Sequence, residues 1–383
     1  MSLWPPAPQP PTRLGHYRLL SPTAGVRVSP LQLGGLSIGE NWSHVLGSMN
    51  KESSMKLLDA YFEAGGNFID TANTYQDEQS EAWIGEWAEQ RGIRDQLFVA
   101  TKYTTNFKRG NDSVAQKVLY VGNGSKSLHI SIEASLGKLR TSYIDLLYVH
   151  WWDFETSVEE VMRSLHVLIM AGKVLYLGVS DTPAWVVSKA NQYARMNGMT
   201  PFSVYQGQWN VMSRDFEREI IPMARSEGMA LAPWDVLAGG KFRTDADEEE
   251  RRKQGEYRTM MPGWERNDKE KKVSEVLGKV AGEVGTKHLT AVAIAYLLHK
   301  APYVFPIIGG RKVEHLHANI EALNISLSET QIDELEAAVD FDLGFPGKLI
   351  GTGTDLRRML TSTAHIETPL ILKPHKPVIT KAK

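Results

Sequence analysis

Asp70, Tyr75, Lys102 and His150 lie just past the ends of three apolar runs, in NFIDTANTYQ, LFVATKY and IDLLYVHWW. Together these four residue types make a proton-donating site. Tyr75 would protonate a carbonyl oxygen. A free tyrosine titrates at about 10, so the Lys102 ammonium would be needed to stabilise the phenolate and lower that pKa. Asp70 would hold and neutralise Lys102. His150 would donate a hydrogen bond to the substrate oxygen as charge develops there. A positioned acid contributes roughly 10² to 10⁴ in rate, and the hydride itself must come from a cofactor. If the four converge, the chemistry is carbonyl reduction or alcohol oxidation. Each has a plainer use when taken alone. Asp70 could cap a helix, Tyr75 could be a half-buried loop aromatic, and Lys102 and His150 could be ordinary rim residues.

Convergence depends on the elements that carry them. Eight short apolar runs read as strands: Leu31–Leu36, Asn67–Asp70, Leu97–Thr101, Ile144–Val149, Val174–Val179, Ser203–Gln206, Met229–Pro233 and Val304–Ile308. Several, such as IDLLYV and VLYLGV, are apolar without alternation, as strands covered on both faces are. Helical patterns fill the intervals. Ser157 and Glu160 form a capping-box pair ahead of Val158, Val161, Met162, Leu165, Leu168 and Ile169 at helical spacing, and Gly172 suits the C′ position. Asn50 to Gly65-Gly66 repeats the scheme. Eight strand–helix units in succession predict a closed (β/α)8 barrel. Residues just past its strands sit on the catalytic rim.

The chain reads as one domain over 1–383, with the barrel at about 27–340 and a C-terminal tail over 341–383. Arg18–Ser29 reads as a hairpin turning near Ala24-Gly25 that could plug the barrel floor. The charged stretch Ala238–Lys272 reads first as a solvated loop, and second as a flap over a ligand. The 383 residues carry a net charge of −2 and contain no cysteine. That balance gives no reason to expect a nucleic-acid partner. It also excludes disulfides, thiolate metal sites and cysteine nucleophiles, and no metal is expected. No stretch approaches the roughly 20 apolar residues of a membrane span, and the start lacks a signal-peptide core. A cytoplasmic protein is the expectation.

The second half carries cofactor features. There is no GxGxxG, so a Rossmann site is unsupported. Instead PIIGGRKVEHLHANIEAL places Gly309-Gly310 at a helix start after the eighth strand, a standard phosphate position in barrels. Arg311 and Lys312 add positive charge there, which suits a ribose 2′-phosphate and hence NADP(H) over NAD. Ser180-Asp181 and Gln206 are polar at the same rim and could hold a carboxamide. Trp234 could stack on a flat ring. Trp42, Tyr103, Phe107 and Trp151-Trp152 are aromatic near the rim and would suit a flat aromatic substrate, with Trp151 and Trp42 first.

The motifs NFIDTANTYQDEQSE, FVATKY, YIDLLYVHWWD, GKVLYLGVSDTPAW, YQGQWNVMSRDFERE and PIIGGRKVEHLHANIEAL together resemble the aldo-keto reductase superfamily, from about Arg27 to Leu323. KYTTNFKRG and the WWD after His150 are most similar to its fungal NADP-dependent aryl-alcohol dehydrogenases and norsolorinic acid reductase. The resemblance implies the Asp70, Tyr75, Lys102, His150 tetrad and an extended NADPH. It implies that Ser180 and Gln206 hold the nicotinamide amide, that Trp234 stacks on its ring and that Leu237 passes the pyrophosphate. Gly309, Arg311, His315 and Asn319 would line the adenosine end. Three departures stand out. Asp181 replaces a common Asn, Ala318 replaces an acidic residue often found before the adenine-binding Asn, and His315 stands at the position of a frequent Arg or Gln. The implied activity is reversible reduction of aromatic aldehydes of the veratraldehyde type. Reduction of a polyketide-type ketone, a redox-sensing NADPH-binding partner subunit and a Schiff-base aldolase on Lys102 are the alternatives.

Overall fold

Two hairpin strands, β1 (Arg18–Ser21) and β2 (Ala24–Val28), precede the barrel in the computed structural model. It describes residues 3–47, 49–254, 263–354, 358–367 and 372–377. The barrel strands are β3 (Gln32–Gly34), β4 (Phe68–Asp70), β5 (Phe98–Tyr103), β6 (Ile144–Val149), β7 (Val174–Ser180), β8 (Val204–Gln208), β9 (Ala230–Trp234) and β10 (Ile307–Ile308). All eight expected strands are present. They are parallel in the order β10-β3-β4-β5-β6-β7-β8-β9. A parallel bridge between Leu231 and Val304 closes the ring. Helices follow the strands and form the outer layer, giving a (β/α)8 barrel.

Side-chain parity along each strand decides what reaches the site, because alternate residues face opposite sides. Phe68, Phe98, Ala100, Leu146, Tyr148, Val204, Ala230, Ala232 and Phe305 pack together as the barrel interior. Ile69, Val99, Tyr103, Leu147, Val149, Val179, Tyr205 and Leu231 pack into the helical layer. Counting on by twos, Asp70, Lys102, His150, Ser180, Gln206 and Trp234 all have inward parity at the C-terminal ends of their strands. Gly178 makes room inside: a Cβ there would lie 2.5 Å from the Tyr148 ring.

Leu20, Ala24 and Val28 of the hairpin join the interior cluster, so the hairpin does plug the floor. Ser21 pairs with Ala24, which puts its turn at Pro22-Thr23, ahead of the expected Ala24-Gly25. The Ser157 side chain caps its helix through Glu160 N. The Glu160 carboxylate turns instead to Ser125 N and Oγ, both at 2.9 Å, so no full capping box forms.

The charged segment is not a plain loop. It forms a helix over Asp245–Gln254, and a second helix begins at Asp268. The part of the expected flap at 255–262 lies outside the described residues. Glu248 Oε2 accepts from Arg243 Nη2 and Arg266 Nε, both at 2.8 Å, and all three residues are buried. This shared carboxylate ties the start of the segment to its end. The described residues from 342 to 354 run over the surface, tied by Arg218 Nε to Asp342 O and by Arg225 Nη1 to Thr352 O.

Candidate active site

The buried Lys102 ammonium is the hub. Its Nζ donates to Asp70 Oδ2 at 2.6 Å and to Thr71 O at 2.7 Å, and lies 5.0 Å from the centre of the Tyr75 ring. Asp70 is held from both sides, because its Oδ1 accepts from Gln206 Nε2 at 2.9 Å. Burial pulls the Lys102 pKa down, but the charges of Asp70 and Tyr75 outweigh it and the net shift is upward. An ammonium held so firmly is a poor Schiff-base nucleophile, which removes the aldolase reading.

Tyr75 lies at the mouth with a half-buried ring. The His150 ring stands edge-on with its centre 6.0 Å away, and the Trp42 ring at 6.4 Å. Lys102 pulls the phenol pKa down as expected. Burial outweighs that pull, Asp70 adds to the rise, and the net direction is up. The sequence expectation of a lowered pKa is therefore corrected: the site keeps Tyr75 as a protonated phenol, the form that donates. Gln76, Asp77 and Glu78 then take positive φ in succession. The Gln76 side chain fixes this turn by accepting from Trp42 N at 2.7 Å and donating to Leu36 O at 2.8 Å.

His150 is held neutral. Burial, aided by Lys102, depresses its pKa to about 3. Trp151 Nε1 donates to Thr105 Oγ1 at 3.0 Å, and that hydroxyl lies 3.4 Å from His150 Nδ1. With the hydroxyl donating a hydrogen bond to Nδ1, the tautomer is fixed with Nε2–H as the donor for a substrate oxygen. The turn is strained to achieve this. Thr104 sits at φ +97°, rare for a β-branched residue, and its Oγ1 accepts from Asn123 Nδ2 at 2.9 Å.

The cofactor residues line the same rim. Ser180 Oγ is buried and makes no hydrogen bond. An orphaned hydroxyl beside the Gln206 amide is what a carboxamide ligand would satisfy. The Trp234 indole stands partly open at the rim, and Leu237 follows in the next turn. Gly309, Gly310 and Asn319 share a shallow cleft with Leu33, Leu57, Ile308 and Leu316. The Arg311 guanidinium lies against Gly47, at φ +81°, where a Cβ would come within 2.2 Å of Arg311 Nη1. Burial lowers the His315 pKa, and Arg251, Lys312 and Arg311 lower it further by their charge. This cationic corner, an orphaned hydroxyl and a flat ring fit an extended nicotinamide dinucleotide phosphate.

Among the substrate candidates, Trp42 and Trp151 reach the mouth beside Tyr75 and His150, and Arg109 stacks on Trp42 at 4.4 Å. Tyr103 does not reach it. One residue past the inward Lys102, it points into the helical layer, buried, with its hydroxyl donating to Asn123 O at 3.2 Å. Trp152 and Phe107 are likewise buried. Several site residues escaped the sequence reading. Tyr148 fills the interior below, its buried hydroxyl without a hydrogen bond. Its signal was the period-two step back from His150. Thr105, Gln76 and Arg251 carried no such signal.

A family model described as the aldo/keto reductase family matches residues 30–340. The chain is 60% identical over 373 residues to an aryl-alcohol dehydrogenase [NADP(+)] of Phanerodontia chrysosporium, covering 96% of this chain and 97% of that one. It is 56% identical to the aldo-keto reductase ausK of Emericella nidulans, covering 92% of this chain and 88% of the relative. It is also 56% identical to norsolorinic acid reductase A of Aspergillus parasiticus, covering 89% and 86%. A barrel closed by parity-matched strands, a buried Lys–Asp pair beside a tyrosine, and a match running the length of that barrel have one reading: this chain belongs to the aldo/keto reductase family.

Proposed function

We propose that this chain is an oxidoreductase that interconverts aromatic aldehydes of the veratraldehyde type and their benzylic alcohols, using NADP(H). The observation that carries this is the meeting of Tyr75, Lys102, Asp70 and His150 next to the orphaned Ser180 hydroxyl and the Trp234 ring. Ser180 and Gln206 would hold the carboxamide, Trp234 the ring and Leu237 the loop beside the pyrophosphate. Gly309, Arg311, His315 and Asn319, joined by Arg251, would hold the adenosine and its phosphate. When bound, NADPH supplies the hydride. His150 Nε2–H and the Tyr75 hydroxyl both donate to the carbonyl oxygen, and Tyr75 gives up its proton as negative charge develops there. Lys102 stabilises the phenolate left behind, and Asp70 keeps Lys102 in place. Trp42 and Trp151 form flat walls that suit an aromatic ring.

Initial rates with NADPH and NADH test this across veratraldehyde, aliphatic aldehydes and a polyketide-type ketone. Turnover is expected to be fastest with NADPH and veratraldehyde. One charge-assisted hydrogen bond to the 2′-phosphate contributes about 1.5–3 kcal/mol, so NADPH should exceed NADH by about 10- to 100-fold in kcat/KM. The relative named for norsolorinic acid reduction gives the ketone its place in the panel. A preference for it over every aldehyde would move the substrate class to polyketide-type ketones. NADPH binding without turnover on any carbonyl would favour the redox-sensing subunit.

A further inference from the structure

The position of Asp181 gives it a distinct use. It is the first residue past β7, at φ +43°, a left-handed conformation that Asp tolerates better than most residues. Its N–H donates to Gln206 O at 3.1 Å, continuing the ladder from the Ser180–Gln206 pair. That turn swings the carboxylate across the rim, where Oδ1 accepts from Trp234 Nε1 at 3.1 Å. Asp181 therefore joins the ends of β7, β8 and β9, the three strands whose Ser180, Gln206 and Trp234 form the carboxamide and ring positions. Its charge is felt at the reacting centre as well. Burial raises the Asp181 pKa, the Trp234 hydrogen bond and the Lys102 charge work against that rise, and the carboxylate adds in turn to the upward shift of Tyr75.

We propose that Asp181 is a positioning residue that anchors the Trp234 indole and biases this site toward the oxidised, positively charged form of the nicotinamide. This rests on the reading that Ser180, Gln206 and Trp234 hold the nicotinamide end. The oxidised ring carries a positive charge that the reduced ring lacks. A carboxylate fixed at the same rim distinguishes the two forms, and a ligand equilibrium shifts only through such a difference. An Asn in this place would keep an acceptor for the indole N–H and remove the charge. The carboxylate thus favours retention of NADP+ and, by stabilising the oxidised ring, makes bound NADPH a stronger hydride donor than an amide would.

Isothermal titration of the full chain with NADP+ and with NADPH separates the two effects. Asp181→Asn should raise the ratio Kd(NADP+)/Kd(NADPH) by about fivefold, the size expected for one partly solvated unit charge, with NADPH affinity little changed. Asp181→Ala should shift the ratio equally and also weaken NADPH, because the indole loses its acceptor. An unchanged ratio in either variant overturns the charge effect, as does equal weakening of both forms in Asp181→Asn. Full NADPH affinity in Asp181→Ala overturns the anchoring. A wild-type chain that binds neither form overturns the cofactor reading itself, a result distinct from wild-type binding with an unmoved ratio.

Discussion

Tyr75→Phe is expected to lower kcat/KM for an aromatic aldehyde by about 10² to 10⁴, while NADPH still binds. The substitution removes only the hydroxyl. The ring keeps its edge contacts with Trp42 and His150 and its place over Lys102, so the cavity keeps its shape. The proton donor alone is lost. His150 cannot replace it, because a group depressed to about 3 carries no second proton to give at neutral pH. The pH profile of the wild type follows from the same two shifts. His150 does not titrate through the neutral range, and Tyr75 is raised, so the reductive rate should hold level there and fall only on the alkaline side as the phenol ionises. Turnover unchanged in Tyr75→Phe would remove Tyr75 as the acid. An inflection near 6.5 would mean that His150 titrates during turnover.

Lys102→Met is expected to lose stability and activity together, and the two losses should separate on repair. Nζ and the Asp70 carboxylate are both buried, so the single substitution leaves an uncompensated charge inside the barrel. Breaking one partner of such a pair costs about 3–5 kcal/mol. Gln206 and the Thr71 carbonyl cannot replace the cation: Gln206 already donates to the other Asp70 oxygen, and Thr71 O loses its donor. Adding Asp70→Asn neutralises the stranded charge, so the double variant should recover most of the melting temperature. Activity should not return, because the phenolate of Tyr75 still has no ammonium to stabilise it. Recovery of turnover with stability would make the pair purely structural. A single variant as stable as the wild type would mean that water reaches the site and solvates Asp70.

The barrel was legible because its strands are short apolar runs bounded by turns, and all eight fall where the pattern puts them. The shared rim position of Asp70, Lys102 and His150 was legible for a stricter reason. Asp70, Lys102 and His150 share inward parity with the interior residues two positions earlier, Phe68, Ala100 and Tyr148. Tyr103 failed on that same rule. An aromatic next to an inward-facing lysine on one strand must face the other way, and proximity in sequence concealed it. The Tyr75 pKa was misjudged because a sequence shows the cation but not the desolvation that outweighs it. The charged segment looked solvated by composition. Its three buried members are joined through one carboxylate, a contact between Arg243, Glu248 and Arg266 that no local pattern encodes. Arg251 reached the cationic corner beside Arg311 and His315 through the fold, out of sight of any motif. Asp181 was visible as a departure, but its use depends on Trp234, 53 positions away in the chain.

The central claim is direct hydride delivery to a carbonyl carbon with Tyr75 supplying the proton. Its closest test is a single-turnover reaction of NADPH deuterated at nicotinamide C4 with veratraldehyde, followed by mass and NMR analysis of the alcohol. Deuterium is expected on the carbinol carbon, matched to the NADPH consumed, with no transfer in Tyr75→Phe on the same timescale. NADPH consumed without label in the alcohol, or label transferred equally well without the Tyr75 hydroxyl, would contradict it.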